Sequence, residues 1–529
     1  MRNRVKLAGA LPVALLLAGC SGGHNTVAPP SPTPTRGVLL QSPPELLASV
    51  SAAGLLAKLA SNIAPSRVPL DVSVAGTEYL LAQSGTLVCD VASYHIRYTT
   101  VGGAGESTTA SGALMVPSGI DSRCRGGRPI VLYAHGTTTA RSFNIADLSG
   151  QQNAETLFLA AIFVSQGYIV VAPNYAGYDT STLPYHPYLV ADQQSKDMID
   201  ALTAARSALP VAGAPLTTDG GRLFITGYSQ GGYVAMATQR AMEAAGMPVT
   251  AAAPMSGPYA MAAFVDSVFY GEIDGGAPVV ATFLLTAYQH SYGNIYSSTT
   301  DAFETQYATG IDSLLPSSLS RHDLYAQGKL PQYALFSVTP AEAGFVDSVT
   351  TPSTLAALAP VFALGIGANN LVRDAYRSGY LSDALANPDG GWPLATTGVA
   401  AASPAQALRR ALKQNDLRDW TPIAPVLLCG GDRDPVVFWL NTQLMQGYWG
   451  VHAPASASIG VLDLESAATA NDPYSGPKHD FSVAKQVIAA DAILHGATDG
   501  GALAVVTGYH ATLVAPFCFL AVKSFFDGR

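Results

Sequence analysis

Leu223-Phe224-Ile225-Thr226-Gly227-Tyr228-Ser229-Gln230-Gly231-Gly232 is the stretch on which the reading of this chain turns. An apolar run enters it and a helix-like segment, Tyr233 to Ala245, leaves it, so it reads as strand, sharp turn and helix with Ser229 at the tip. Glycines two residues either side of the serine permit a strained backbone and leave no side chain where strand and helix come close. The hydroxyl is thereby lifted over the end of a sheet. The following helix aims its free N–H groups and positive dipole end at the same place, which favours a developing negative charge. Ser229 is therefore the candidate nucleophile. The pentapeptide alone is weak, because with 51 Gly in 529 residues it arises by chance about 0.4 times. Gly19-Cys20-Ser21-Gly22-Gly23 has the same pattern, yet it follows no strand and opens no helix.

Outward from Ser229, continuous apolar runs of strand length recur at Pro129 to Ala134, Tyr168 to Ala172, Val249 to Ala253, Pro425 to Leu428 and Leu503 to Val506. Helical segments separate them: Asn153 to Ser165, Gln193 to Ala208, Gln230 to Ala245 and Ala511 to Phe526. That alternation suits a parallel sheet buried on both faces. Tyr94 to Pro117 alternates and breaks at Gly102-Gly103-Ala104-Gly105, which predicts an antiparallel hairpin. The expected class is α/β: a doubly wound, mostly parallel sheet opened by an antiparallel hairpin. Pro44 to Ile63 has helical spacing and predicts a short helix or helix pair packed on the main domain. Between 257 and 420 the alternation stops and helical patterns such as Thr354 to Leu364 and Pro404 to Lys413 take over. An insertion of that length at a strand end predicts a helical cap. The hydrolytic domain is then expected in two parts, 37–256 and 421–529.

A serine hydroxyl needs a base in hydrogen-bond reach and a third group to hold that base. Of ten histidines, His510 is favoured, because Gly508-Tyr509-His510 follows the apolar run at Leu503 and precedes the last helix. His479 and His495 fall in a polar loop and a helix-like segment. The acid is expected after the preceding strand, where Gly431, Asp434 and Val437 make G-x-x-D-x-x-V. Asp434 is the first choice and Asp432 the alternative. For the oxyanion, the N–H of Gln230 and that of Thr137, with Thr138 next, are the candidate donors, since His135-Gly136-Thr137-Thr138 leaves the third strand. His135 is read as structural. No H-E-x-x-H, paired C-x-x-C or dinucleotide glycine fingerprint appears, so neither metal nor cofactor is expected.

The chain order Ser229, Asp434, His510 is that of α/β-hydrolases. From about Val88 to Phe526 the sequence resembles α/β-hydrolases of the secretory lipase and esterase type. The resemblance rests on the elbow, the His135-Gly136 loop, the acid loop and His510. It implies hydrolysis of carboxylic esters through an acyl-enzyme, with a cap between the sixth strand and the acid loop. The gap from Asp434 to His510 is longer than such proteins lead one to expect, and Asn471 to Ala497 is expected to form an extra loop and helix there. A serine peptidase, a polyester depolymerase and a non-catalytic envelope-binding lipoprotein are the alternatives.

Composition bounds the setting. Hydrophobic residues make up 48% and charged ones only 12%, with a net charge of −9. A large core is available, and nucleic acid is not an expected partner. Arg2, Arg4 and Lys6 precede an apolar run from Leu7 to Leu17, and Leu17-Ala18-Gly19-Cys20 closes it. The stretch resembles a bacterial lipoprotein signal (1–19), which implies lipid attachment at Cys20 and a membrane-anchored protein of the envelope, at the outer membrane or cell surface. Residues 20–36, rich in Pro, Ser and Thr, read as a disordered tether. Export leaves Cys89, Cys124, Cys429 and Cys518 for disulfides. Three pairings are open, with free thiols as the other option. Cys89–Cys124 and Cys429–Cys518 are favoured because each pair lies near one structural unit. The expected substrate is a small-molecule or lipid ester; the sequence does not determine the oligomeric state.

Overall fold

A computed structural model describes residues 35–63, 87–149, 154–212, 216–273, 275–337, 358–390 and 398–529. The signal segment 1–19, Cys20 and nearly all of the tether lie outside the described residues. Nine strands form one sheet: β1 (Glu45–Val50), β2 (Asp90–Val101), β3 (Ser107–Ser118), β4 (Gly126–Ala134), β5 (Ile169–Pro173), β6 (Thr217–Tyr228), β7 (Ala251–Met255), β8 (Val426–Gly430) and β9 (Ile459–Asp463). Their order is β1-β2-β3-β5-β4-β6-β7-β8-β9. The pairs β1–β2, β2–β3 and β3–β5 are antiparallel, and every pair from β5 through β9 is parallel. The expected α/β class with its N-terminal hairpin is thus present.

Both faces of the sheet are buried, as the continuous apolar strands require. Along β4, Ile130, Leu132 and Ala134 enter one core, and Val131 and Tyr133 the other. The first core is covered by α3 (Ala191–Ala208) and α4 (Gln230–Ala244), the second by α1 (Ala52–Ile63), α2 (Ala154–Ile162) and the C-terminal helices. Register then fixes where the loops begin: Ala134 pairs with Gly227, Tyr228 with Met255, and Met255 with Cys429. The loops after β4, β6 and β8 therefore leave the sheet side by side at its carboxyl edge, where open α/β sheets hold their ligands.

Between β7 and β8 the described segments are helical, with α5 (Met261–Tyr270), α6 (Ala277–Tyr292), α7 (Asp374–Ala386) and α8 (Ala407–Gln414) the longest. Buried ion pairs tie this segment together. Arg409 bridges Asp266 at 2.9 Å and Asp383 at 3.0 Å, while Arg418 bridges Asp389 and Asp416, each at 2.8 Å. Removing one partner of such a pair leaves a buried, uncompensated charge, so these contacts fix the relative placement of the helices.

Two expectations need correction. Pro44 to Ile63 is not wholly helical, because Glu45–Val50 adds to the free edge of β2, a backbone pairing that side-chain spacing does not reveal. Leu503–Val506 is not a strand: it belongs to α11 (Ala502–Gly508), and Leu503 itself is exposed. A short apolar run cannot be told from a helix turn by periodicity alone. The last strand is instead β9, a half-exposed edge strand. α9 (Leu440–His452) precedes it, and α10 (Ser475–Leu494) supplies the extra helix that lengthens the gap to His510. The run Ala502–Asp527, which includes α12 (Ala515–Asp527), is long and apolar enough to cross a membrane, but two-thirds of its window is buried in the second core.

The elbow makes the glycine requirement measurable. A Cβ on Gly231 would stand 1.9 Å from the Ala134 carbonyl oxygen, and one on Gly227 would stand 2.3 Å from that of Gly231. Both obstacles are backbone, so neither can swing aside. Gly231→Ala is expected to cost more than about 3 kcal/mol. A thermal midpoint equal to that of the wild type would contradict the close approach of strand and helix.

Candidate active site

Ser229 has φ 60° and ψ −121°, a conformation that costs a non-glycine residue about 1–3 kcal/mol. Its N–H donates to the Met255 carbonyl at 3.0 Å, which anchors the turn to β7. Gln230 begins α4, so its N–H has no acceptor within the helix and remains available above the sheet edge.

His510 sits in a π-helical turn, Tyr509–Val514, between α11 and α12. Such turns interrupt α-helices at functional positions more often than elsewhere. The His510 Nδ1–H donates to Asp434 Oδ2 at 2.6 Å, and both residues are buried. Asp434 Oδ1 accepts the N–H groups of Val436 at 2.9 Å and Val437 at 3.1 Å. One carboxylate oxygen thus holds the acid loop and the other holds the imidazole. With Nδ1 protonated, Nε2 carries the lone pair, and this atom is buried without a hydrogen-bond partner among the described residues. The Tyr228 hydroxyl donates to the His510 carbonyl and its ring packs 5.0 Å from the imidazole, so the residue before the serine also positions the histidine.

Asp432 does not reach His510: its N–H donates to Asp463 and its carboxylate lies 3.9 Å from Arg433. His479 and His495 are exposed on α10 and at its end. Ser229, His510, Gln230 and Thr137 all line one cavity of about 560 Å³, with Phe158, Leu189, Phe264, Val279 and Val280 among its apolar walls. Thr138 is not among the lining residues; its carbonyl accepts the Tyr178 hydroxyl at 2.7 Å.

His135 is enclosed. Its ring stacks on Tyr175 at 4.2 Å, its nitrogens face the carbonyls of Gly136 at 2.7 Å and Asn174 at 3.2 Å, and burial lowers its pKa to about 4. It is a neutral scaffold for the loop, not a free base. Three supports of this site are invisible in the sequence pattern. Glu155, its pKa raised by burial, accepts the Gly136 N–H at 3.1 Å and the Tyr133 hydroxyl. The Gln230 side-chain amide donates to His186 Nε2 at 2.8 Å. The His186 Nδ1–H donates to the Ala176 carbonyl at 3.0 Å, and burial holds its pKa down at about 3. Thr137 Oγ1 shares a hydrogen bond with the Tyr188 hydroxyl at 2.8 Å.

The disulfides pair as expected, Cys89–Cys124 and Cys429–Cys518, with Cα separations of 5.4 and 5.7 Å. Both suit a protein exported to an oxidising compartment. Cys429 lies in the strand that feeds the acid loop and Cys518 in the helix after His510, so the second bond clamps the two sides of the Asp434–His510 pair. Its ends are 89 residues apart. The Cys429→Ser/Cys518→Ser double variant is expected to lose about 4 kcal/mol in the chain-entropy picture. Chemical denaturation checks this, and an unchanged midpoint would contradict it.

The prolyl oligopeptidase family model matches residues 155–271, the segment that holds the elbow. Among solved structures, the rice cell wall degrading esterase LipA from Xanthomonas oryzae is 25% identical, with TM-score 0.63, covering 94% of this chain and 100% of that one. Its ligand-bound form is 26% identical with the same TM-score and coverage. A structure from Legionella pneumophila, 19% identical with TM-score 0.59, covers 93% of this chain and 97% of its own and bears on the fold alone. No curated protein sequence matches the chain significantly.

Proposed function

We propose that the chain, with the fold of an α/β-hydrolase of the lipase and esterase type, is a serine carboxylic-ester hydrolase working through an acyl-enzyme. The observation that carries the reading is the His510 Nδ1–Asp434 Oδ2 bond of 2.6 Å, with His510 and the strained Ser229 lining one cavity. Ser229 Oγ attacks the acyl carbon and His510 Nε2 takes its proton. The N–H groups of Gln230 and Thr137 hold the oxyanion. Nε2 then gives the proton to the leaving alcohol, and water repeats the sequence on the acyl-enzyme. Asp434 holds the tautomer and stabilises the imidazolium.

The substrate class follows from the walls. A smaller, wholly apolar cavity of about 50 Å³ shares Leu189, Phe264 and Val280 with the catalytic one, which supports esters of apolar, short-to-medium acyl chains. Segment 257–420 acts as the cap, since Phe264, Val279, Val280 and Arg321 from it line the Ser229 cavity. The lipoprotein signal and Cys20 anchor the mature enzyme to the envelope membrane.

The prolyl oligopeptidase match favours a second reading, a peptidase, because ester and amide cleavage use the same triad. Rates on p-nitrophenyl esters of graded chain length, set beside aminoacyl anilides, separate the two. Esters are expected to turn over faster, with an optimum at short-to-medium chains. Faster cleavage of the anilides would replace the proposal with the peptidase reading.

A further inference from the structure

A second cavity, of about 370 Å³, shares no lining residue with the one around Ser229. Four carboxylates face it, from Glu272, Asp432, Asp434 and Asp463, and no lysine or arginine lines it among the described residues. Asp434 is committed to His510 and to two backbone N–H groups. The Glu272 carboxylate is not committed to anything. It is 5% exposed and makes no hydrogen bond or ion pair among the described residues. Asp432 Oδ1 is likewise buried without a hydrogen-bond partner, the nearest cation being Arg433 at 3.9 Å. Asp463 adjoins it through the Asp432 N–H, at 3.1 Å.

An unpaired carboxyl withdrawn from water is costly to ionise, and burial accordingly pushes Glu272 up to about 8 and raises Asp432 and Asp463 as well. A cation in the cavity would remove that cost. No set of three or more carboxylate, imidazole or thiol groups is spaced to hold a metal ion among the described residues. The remaining walls are Leu358, Phe362, Phe438, Trp439 and Leu440, with Gln443 at an exposed position. A wall of aromatic and aliphatic side chains beside the unpaired Glu272 carboxylate suits an ammonium group on an apolar body, and the volume is that of a small-molecule site.

We propose that this cavity binds a small primary amine with an aromatic or alkyl body, the ammonium paired with Glu272, with Asp432 and Asp463 adding negative potential on the cavity wall, and the body set against Phe438 and Trp439. The site is independent of the hydrolytic reading, since Glu272, Asp432 and Asp463 take no part in the Ser229–His510–Asp434 arrangement.

Titration calorimetry on the whole protein at about pH 8.5, where an alkylammonium is still charged, tests it with 2-phenylethylammonium and its neutral counterpart 2-phenylethanol. Saturable binding of the amine with one site per chain is expected, and binding of the alcohol about tenfold or more weaker. Glu272→Gln and Asp432→Asn should each weaken the amine by about tenfold or more. Gln is isosteric and removes a buried unpaired acid, so Glu272→Gln is expected to fold. Should it not, Asp432→Asn, on a half-exposed loop, carries the comparison. Absence of saturation, equal affinity for the alcohol, or unchanged affinity in the folded variants would overturn the proposal.

Discussion

Ser229→Gly is expected to abolish ester hydrolysis while making the protein more stable. Removal of the nucleophile from a complete triad costs about 10⁶ in kcat, because the remaining groups act only through it. The stability gain has a separate origin. At φ 60° and ψ −121° the serine backbone holds about 1–3 kcal/mol of strain that glycine does not suffer. Glycine adds about 0.5–1 kcal/mol of chain entropy to the unfolded state, so the net gain is about 1 kcal/mol. Ser229→Ala separates the two effects: it loses the hydroxyl and keeps the strain, so its thermal midpoint should stay near that of the wild type. A Ser229→Gly variant that is inactive and less stable would mean that the turn is held by something other than the elbow geometry.

Asp434→Asn is expected to lower kcat by about 10⁴ with a small change in KM. The asparagine Oδ1 can still accept the N–H groups of Val436 and Val437, so the acid loop should keep its shape. What changes is the atom facing His510. An amide NH₂ at the Oδ2 position donates where the carboxylate accepted, which drives the imidazole proton from Nδ1 to Nε2. Nε2 then has no lone pair with which to take the serine proton. Asp432→Asn is the matched control, since Asp432 makes no contact with His510, and it should leave kcat within about threefold of the wild type. Equal losses in the two variants would move the acid away from Asp434.

Much of this site is legible in the sequence because its parts are local. The elbow is a strand end, a turn and a helix start within ten residues, and the glycines that let Ala134 and Met255 approach are written beside the serine. The acid loop is equally compact. What the sequence hides is whatever depends on a partner far along the chain. Glu155 supports the His135-Gly136 loop from a helix start that carries no motif, and His186 reaches the Gln230 side chain across 44 residues. The edge strand Glu45–Val50 exists because β2 offers it a backbone ladder, not because its own side chains are buried. The apolar run before His510 reads as a strand, and the structure sets the histidine instead in a π-helical turn of a long helical run. The base is reached all the same, because the helix and the Cys429–Cys518 bond bring it to the end of β8.

The most direct measurement is peptide mapping by mass spectrometry after treatment with a fluorophosphonate, on the wild type and on His510→Ala and Asp434→Ala. A single adduct on the peptide bearing Ser229, lost or greatly slowed in both variants, is the predicted result, because only a serine activated by His510 and Asp434 reacts at that rate. An adduct elsewhere, labelling of Ser229 at an unchanged rate in the variants, or no adduct on folded protein would contradict the triad.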